Sequence, residues 1–140
     1  MTYRDIAKAQ LRTDEGVRES AYTDSLGYLT IGVGRLIDAR VGGKLSQDEI
    51  DYLLEHDLDR AEATAKALFP TFQALSDARK AVLLNMAHNL GQTRLAAFQR
   101  FREAVGAEDW GRAHDEMLDS RWADQVGERA RRLARQLKEG

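Results

Sequence analysis

The stretch TDEGVRESAYTDSLGYLTIGVGRL, from Thr13 to Leu36, decides the fold that we expect for this chain. It begins where a helical pattern ends, because Gly16 is typical of a helix C-terminal stop. The segment from Tyr28 to Val33 is rich in aromatic and β-branched residues, which favours an extended strand. Asp24 lies in the turn TDSLG before that strand. We therefore expect a helix that ends at Gly16, followed by a small antiparallel sheet between residues 21 and 37.

The same stretch carries side chains that suit the hydrolysis of a glycosidic bond. Glu15 and Asp24 lie on the two sides of a short connection, and the hydroxyl group of Thr30 follows Asp24. Such hydrolysis uses a protonated carboxylic acid for the leaving oxygen and an ionised carboxylate for the water or the developing cation. An aspartate in a turn and a glutamate on a helix surface are also common structural residues. The two acids alone therefore leave both interpretations open.

Three separated blocks of the sequence carry a family pattern. The first block is D-E-G-x-R-x-x-x-Y-x-D-x-x-G-Y-x-T-I-G-x-G-x-L, at residues 14–36. The second is SDARKAVLLNMAHNLG, from Ser76 to Gly91, and the third is Ser120-Arg121-Trp122. Together the blocks resemble the phage-type lysozymes, or endolysins, of glycoside hydrolase family 24. The resemblance implies an α+β, lysozyme-like fold in which a long helix joins a small β-sheet lobe to a larger, mostly helical lobe.

The length of 140 residues is typical of one domain. We expect a single catalytic domain over residues 1–140, with a small lobe at about 14–56, a long connecting helix at about 47–68, and a helical lobe at about 69–140 that includes the N-terminal helix. Ser46 and Glu49 form a capping box at the start of the long helix, and Pro70 ends it. A helix of about 22 residues spans roughly 33 Å, which is enough to bridge two lobes.

The resemblance also assigns catalytic roles. It makes Glu15 the general acid, Asp24 the residue that orients the attacking water and stabilises the oxocarbenium-like state, and Thr30 a residue that helps to place the water. The implied reaction is inverting hydrolysis of the β-1,4 bond between N-acetylmuramic acid and N-acetylglucosamine in peptidoglycan, which causes bacterial lysis. Inversion predicts that the two carboxyl groups lie roughly 6.5–9.5 Å apart, whereas about 5 Å would indicate retention.

Five further residues are candidates for supporting roles. We expect Leu36 and His88 to contact the glycan, and the resemblance places Arg129 against the catalytic glutamate. The family has a histidine directly after the I-G-x-G run, paired with an aspartate on the long helix, but this sequence has Arg35 there. Because arginine stays charged at every working pH, we expect an Arg35–Asp57 pair that does not titrate near neutrality.

Ser76 is expected to cap a helix that is apolar on nearly every face and forms the axis of the larger lobe. Four polar residues fall on one side of this helix and indicate a wall that faces a wet cleft: Asn85, His88, Asn89 and Gln92. The family usually has an aromatic residue where His88 stands, and this histidine could instead form a hydrogen bond at the edge of the cleft without touching substrate. We expect Trp122 in the core rather than under a sugar ring.

The formal net charge of −2 gives no overall case for nucleic-acid binding. The charge is unevenly distributed, with seven acids and one arginine between Gln47 and Glu62, and six bases and three acids between Arg121 and Gly140. The basic end is suited to an anionic polymer such as the cell wall, but a solvated helix face has the same composition. The chain contains no cysteine, so its stability depends on packing and it can fold in a reducing cytoplasm.

The sequence predicts neither a metal site nor a cofactor, because its three histidines have no ligand partners at metal-binding spacing. The N-terminal residues MTYRDIAKAQ lack the apolar run of a signal peptide, and no segment approaches ~18 consecutive apolar residues. We therefore expect a soluble protein, made in the host cytoplasm, that does not insert into membranes. It would act on the wall, as a monomer, after a holin-type partner has permeabilised the membrane.

Three alternatives to a hydrolytic lysozyme deserve comparison. A lytic transglycosylase also uses a glutamate acid on this bond but forms an anhydro-sugar without water, and the presence of Asp24 and Thr30 argues against it. A catalytically inactive wall-binding relative would have no use for the complete set of Glu15, Asp24 and Thr30. A purely structural helical domain would leave the glycine-rich hairpin unexplained.

Overall fold

The computed structural model describes residues 2–23, 26–27, 29–33, 35–36 and 44–140. Helices account for most of these residues, and a small antiparallel sheet lies near the start of the chain. In chain order the elements are α1 (Tyr3–Glu15), β1 (Arg18–Thr23), β2 (Leu29–Gly32), β3 (Arg35–Leu36), α2 (Gln47–Leu68), a 3-10 turn (Phe72–Ala74), α3 (Asp77–Ala96), α4 (Gln99–Gly106), α5 (Trp110–Leu118), α6 (Arg121–Val126) and α7 (Glu128–Glu139). The predicted α+β, lysozyme-like fold class is confirmed.

The chain divides into two compact units, which we call the N-terminal unit (residues 1–50) and the C-terminal unit (residues 51–140). In the N-terminal unit, Thr2 and Asp5 form a capping box that starts α1. The helix ends at Glu15 because Gly16 adopts a φ of +76°, which favours glycine. The amide N–H of Gly16 donates a hydrogen bond to the carbonyl group of Arg12. The predicted helix end is therefore confirmed.

The sheet has three antiparallel strands in the order β1-β2-β3. Tyr22 of β1 lies opposite Thr30 of β2, and Thr30 lies opposite Leu36 of β3. The first strand begins at Arg18, three residues before the predicted start, and a register shift occurs between Arg18 and Tyr22. The early part of β1 is exposed and polar, so it lacks the apolar alternation by which a strand is recognised in a sequence.

Apolar side chains of the N-terminal unit are mostly exposed in the part that the structure describes. Ile6, Leu11 and Val17 are 47%, 50% and 58% exposed. By contrast, the polar residue Thr30 of this unit is buried, since only 2% of its surface is accessible. A unit of this length can bury only a small apolar core, and the buried apolar residues that the structure describes all lie in the C-terminal unit.

Helix α2 has the predicted bounds. The Ser46 hydroxyl accepts a hydrogen bond from the Glu49 amide, and the Glu49 carboxylate accepts one from the Ser46 amide, which completes the predicted capping box. The predicted apolar stripe is buried only along its second half, at Ala61, Ala65 and Leu68. Its first half is exposed and corrects the prediction: Ile50, Leu53 and Leu54 are 40–48% exposed.

The C-terminal unit contains the hydrophobic core. Helix α7 packs against α3, α5 and α6, and α4 packs against α5. Ser76 caps α3 as predicted, but the helical conformation is interrupted at Gly91, whose φ is +78°. Trp122 is buried in the core, as expected. Within the described ranges, no helix combines the length and apolar character needed to cross a membrane.

Candidate active site

Glu15 occupies the junction between the first helix and the sheet. It is the last residue of α1 and its side chain is exposed. Only Gly16 and Val17 separate it from β1. Because the Gly16 conformation ends the helix there, Glu15 lies at the junction of α1 and β1, and its exposed carboxyl group is accessible to a ligand.

Thr30 and Leu36 are brought together by the sheet. They are paired residues of β2 and β3, and Tyr22 flanks Thr30 on the other side. Thr30 is the one buried polar residue among those that the structure describes. Pairing on both sides holds β2 in a defined register within the sheet.

Asp24, the second predicted carboxylate, lies outside the described residues. In sequence it directly follows Thr23, the last residue of β1. The predicted separation between the Glu15 and Asp24 carboxyl groups therefore stays a prediction.

Arg35 and Asp57 lie in different units, so the predicted ion pair between them stays a prediction, and each has a partner within its own unit. The Arg35 Nη2 atom lies 2.6 Å from the Glu49 Oε2 atom, and Nη1 donates to the carbonyl oxygen of Lys44 at 3.3 Å. Asp57 forms an ion pair with Arg60, which lies three residues further along α2. In both pairs a flexible arginine side chain binds a carboxylate that lies close to it within the same unit.

The Arg35–Glu49 pair connects β3 to the start of α2. It lowers the pKa of Glu49 to about 2, chiefly through the hydrogen bond from Arg35 and further through hydrogen bonds from the Ser46 amide and hydroxyl groups. The hydrogen bond to Glu49 and its negative charge raise the pKa of Arg35. The sequence pattern predicted the capping role of Glu49 but not this second role, because the capping box explained the residue completely.

Asp57 and His88 border a cavity of about 360 Å³ in the C-terminal unit. The His88 Nε2 atom lies 3.7 Å from the Asp57 Oδ2 atom, which is too long for a hydrogen bond but close enough for an ion pair when the histidine is protonated. Arg60, Thr64 and Gly91 also line this cavity. His88 is partly exposed and therefore accessible to a ligand in the cavity.

Two residues on the predicted polar side of α3 bind other helices of the C-terminal unit. The Asn85 Oδ1 atom accepts hydrogen bonds from Nε and Nη2 of Arg129, at 3.1 and 2.7 Å. The Asn89 Oδ1 atom accepts a hydrogen bond of 2.6 Å from the indole N–H of Trp122. Two of the four polar residues therefore connect α3 to α7 and α6. Helical spacing predicted the shared side but carried no signal for these distant partners.

Comparison with known proteins gives the family. The model of the phage lysozyme family matches residues 12–139 of this chain. The chain belongs to the phage lysozyme family. The matched range contains Glu15, Asp24 and Thr30 and extends through α7.

Individual relatives include two probable T4-type lysozymes of Dictyostelium discoideum. Lysozyme 1 is 26% identical over 95% of this chain and 94% of its own length, and lysozyme 2 is 25% identical over 90% and 89%. The pre-baseplate central spike protein Gp5 of Enterobacteria phage T4 is 32% identical over 88% of this chain. That match spans only 26% of the spike protein. Membership of the phage lysozyme family supports a peptidoglycan hydrolase activity for this chain.

Proposed function

We propose that this protein is a muramidase that hydrolyses the β-1,4 bond between N-acetylmuramic acid and N-acetylglucosamine, and that it thereby lyses bacterial cells. The observation that carries the proposal is the phage lysozyme match over residues 12–139. The exposure of Glu15 at the end of α1 supports it, because a general acid must reach the oxygen that it protonates.

In the proposed reaction, Glu15 donates its proton to the glycosidic oxygen while the bond from that oxygen to the anomeric carbon breaks. Asp24 accepts a proton from the water that attacks the anomeric carbon from the opposite face, and Thr30 helps to hold that water. The water oxygen becomes the new anomeric hydroxyl group, and proton exchange with solvent restores both carboxyl groups. This inverting route requires a separation of roughly 6.5–9.5 Å between the carboxyl groups.

We propose supporting roles for three further residues. Leu36 would contact the glycan beside Thr30, which is its partner in the sheet. His88 would contact the glycan from the cavity that it shares with Asp57. Arg129 would orient the Glu15 carboxyl group by a charge-assisted hydrogen bond, and the amide oxygen of Asn85 restricts where its guanidinium group can lie.

Peptidoglycan lies outside the cell membrane, so a protein made in the cytoplasm needs a route to it. We propose that a holin-type partner permeabilises the membrane and that the protein then acts on the wall as a monomer. The proposed chemistry uses only carboxyl groups and water, and thus requires neither a metal nor a cofactor.

The first test compares Glu15→Gln with Glu19→Gln on bacteria whose outer membrane has been permeabilised. Both substitutions remove one carboxylate from the N-terminal unit, and Glu19 is an exposed residue of β1. Loss of a general acid lowers a rate by roughly 10²–10⁴-fold, so Glu15→Gln should clear the suspension at least about 100-fold more slowly than Glu19→Gln. Equal clearing by the two variants would show that Glu15 is not the acid.

The second test identifies the released products. Mass spectrometry should find muropeptides with a hydrated reducing end, and NMR spectra recorded early in the reaction should show the inverted anomer. Anhydro-muropeptides would instead indicate a lytic transglycosylase. Wall binding without any released product would indicate a catalytically inactive relative.

A further inference from the structure

Helix α7 carries a concentrated positive charge. It contains five basic and two acidic side chains. Three of the basic residues, Arg131, Arg135 and Lys138, recur at helical spacing and line one side of a cavity of about 600 Å³. The other side is formed by His114 and Leu118 of α5. We call this cavity the basic groove.

Two of the cations in the basic groove are free to bind an external anion. Arg135 and Lys138 make no ion pair within 4 Å among the described residues. Arg131 is paired with Glu128, and the His114 Nδ1 atom lies 2.8 Å from Asp115. Glu139 is the one acid that lines the groove in the part of the chain that the structure describes.

The positive charges of α7 affect Glu128, the first residue of that helix. Its pKa lies below the ordinary value, first because of the hydrogen bond and charge of Arg131 and further because of the charges of Arg135 and Arg132. The arginine side chains of α7 therefore stabilise a negative charge placed beside them. The chain as a whole has a net charge of −2, so this attraction is local to α7.

The geometry points to a linear ligand with repeated negative groups. Side chains three or four residues apart on a helix are separated by about 5–6 Å. The cations from Arg131 to Lys138 therefore extend over roughly 10 Å, at 1.5 Å per residue. Arginine binds phosphate through two parallel N–H donors, and lysine binds it as a point charge. A groove of about 600 Å³ is too large for one phosphate group and can hold several linked units.

The composition of the groove also selects among phosphate polymers. Proteins that bind single-stranded nucleic acid stack successive bases on several aromatic side chains, whereas His114 is the one aromatic ring that lines the groove among the described residues. A duplex would require a broad basic face, which a chain of negative net charge does not favour. A flexible phosphodiester chain without bases fits both observations.

We propose that the basic groove binds the polyol-phosphate polymer of bacterial walls, with Arg135 and Lys138 as its principal phosphate contacts. The inference rests on the proposed function in that the polymer is linked to the glycan that the protein would cleave. Binding the polymer would hold the protein near its substrate and raise the effective substrate concentration.

The test uses a fluorescently labelled glycerol-phosphate polymer and measures its anisotropy at about 50 and 200 mM salt. The variant Arg135→Gln/Lys138→Gln removes the two free cations. The control Arg94→Gln/Arg100→Gln removes the same charge from exposed arginines of α3 and α4 that do not line the groove. Circular dichroism confirms that both variants are folded. A neutral dextran and a thymidine oligonucleotide with the same number of phosphates serve as comparison ligands.

We expect the groove variant to bind the polymer roughly tenfold more weakly than the wild type at low salt, and the control to stay within about twofold. The slope of log K against log salt concentration should fall by roughly 1.4, since each phosphate contact contributes about 0.7 on a single-stranded polyanion. Absence of binding by the wild type, or equal loss in both variants, would overturn the inference. Equally tight binding of the oligonucleotide would indicate nucleic acid instead.

The same variants separate this inference from the proposed function. On peptidoglycan stripped of polymer, the groove variant should hydrolyse glycan at the wild-type rate. On walls that carry the polymer, it should be slower than the control. If the protein hydrolysed nothing, the muramidase proposal would fail, while the anisotropy measurements would still decide whether the groove binds the polymer.

Discussion

The hydrogen bond between Asn89 and Trp122 offers a quantitative test of how α3 and α6 are held together. The indole N–H donates to the Asn89 Oδ1 atom at 2.6 Å, and only 3% of the Trp122 surface is exposed. Asn89 is exposed and can be hydrated after a substitution. The two partners therefore differ in what is left behind when the other is removed.

Asn89→Ala should be the more informative substitution, because it leaves a buried N–H group without its acceptor. That penalty is about 1–3 kcal/mol. In the Trp122→Phe background there is no donor to leave unpaired, so the same Asn89→Ala substitution should cost less than about 0.5 kcal/mol. The expected coupling energy between the two sites is therefore about 0.5–3 kcal/mol.

Urea denaturation of the wild type, the two single variants and the double variant measures this coupling. Unfolding can be followed by circular dichroism and by the fluorescence of Trp110, which is present in all four proteins. Gln92→Ala provides a control, because Gln92 is an exposed residue of α3 with an amide side chain. A coupling energy below about 0.5 kcal/mol, or equal effects of Asn89→Ala and Gln92→Ala, would refute the role assigned to this bond.

Two further predictions concern backbone strain and acid stability. Gly91 has φ +78° and ψ 171°, and no neighbouring atom lies within 4 Å of the place that a Cβ atom would occupy. Gly91→Ala should therefore cost about 1–3 kcal/mol through strain alone, whereas Gly111→Ala in α5 should stabilise by up to about 1 kcal/mol in urea denaturation. The pKa of Glu49 is about 2, below an unfolded value of about 4.3. Its ion pair therefore stabilises the folded state fully above about pH 4.3 and loses this effect as the pH falls towards 2. Urea midpoints should accordingly depend less on pH in this range for Glu49→Gln than for Glu55→Gln, and identical pH dependence would contradict the assignment.

The end of the first helix and the start of α2 could be predicted from the sequence. Gly16 ended the first helix beside Glu15, and the box formed by Ser46 and Glu49 started α2 at the predicted residue. Such boundaries depend on the backbone conformation of one residue or on hydrogen bonds between residues three apart. The interactions that determine them are therefore contained in short segments of sequence.

The candidate site was predictable in part. The strand segment from Tyr28 to Val33 indicated that Thr30 lies in the sheet, and the family resemblance gave Thr30 and Glu15 their proposed roles. Neither the strand pattern nor the family resemblance predicted how deeply Thr30 is buried, with only 2% of its surface exposed. Burial depends on which strands flank β2, and the sheet places Thr30 between Tyr22 and Leu36.

The sequence by itself determined where the helices begin and end and which residues share a helix side. Only the tertiary structure decided which side chains meet: Arg35 pairs with Glu49, and Asn85 binds Arg129, 44 residues away. An arginine or an asparagine can satisfy its hydrogen bonds with many acceptors or donors, so its residue type does not specify a partner. The partner is fixed by packing between elements that are distant in sequence, and local sequence patterns carry no information about that packing.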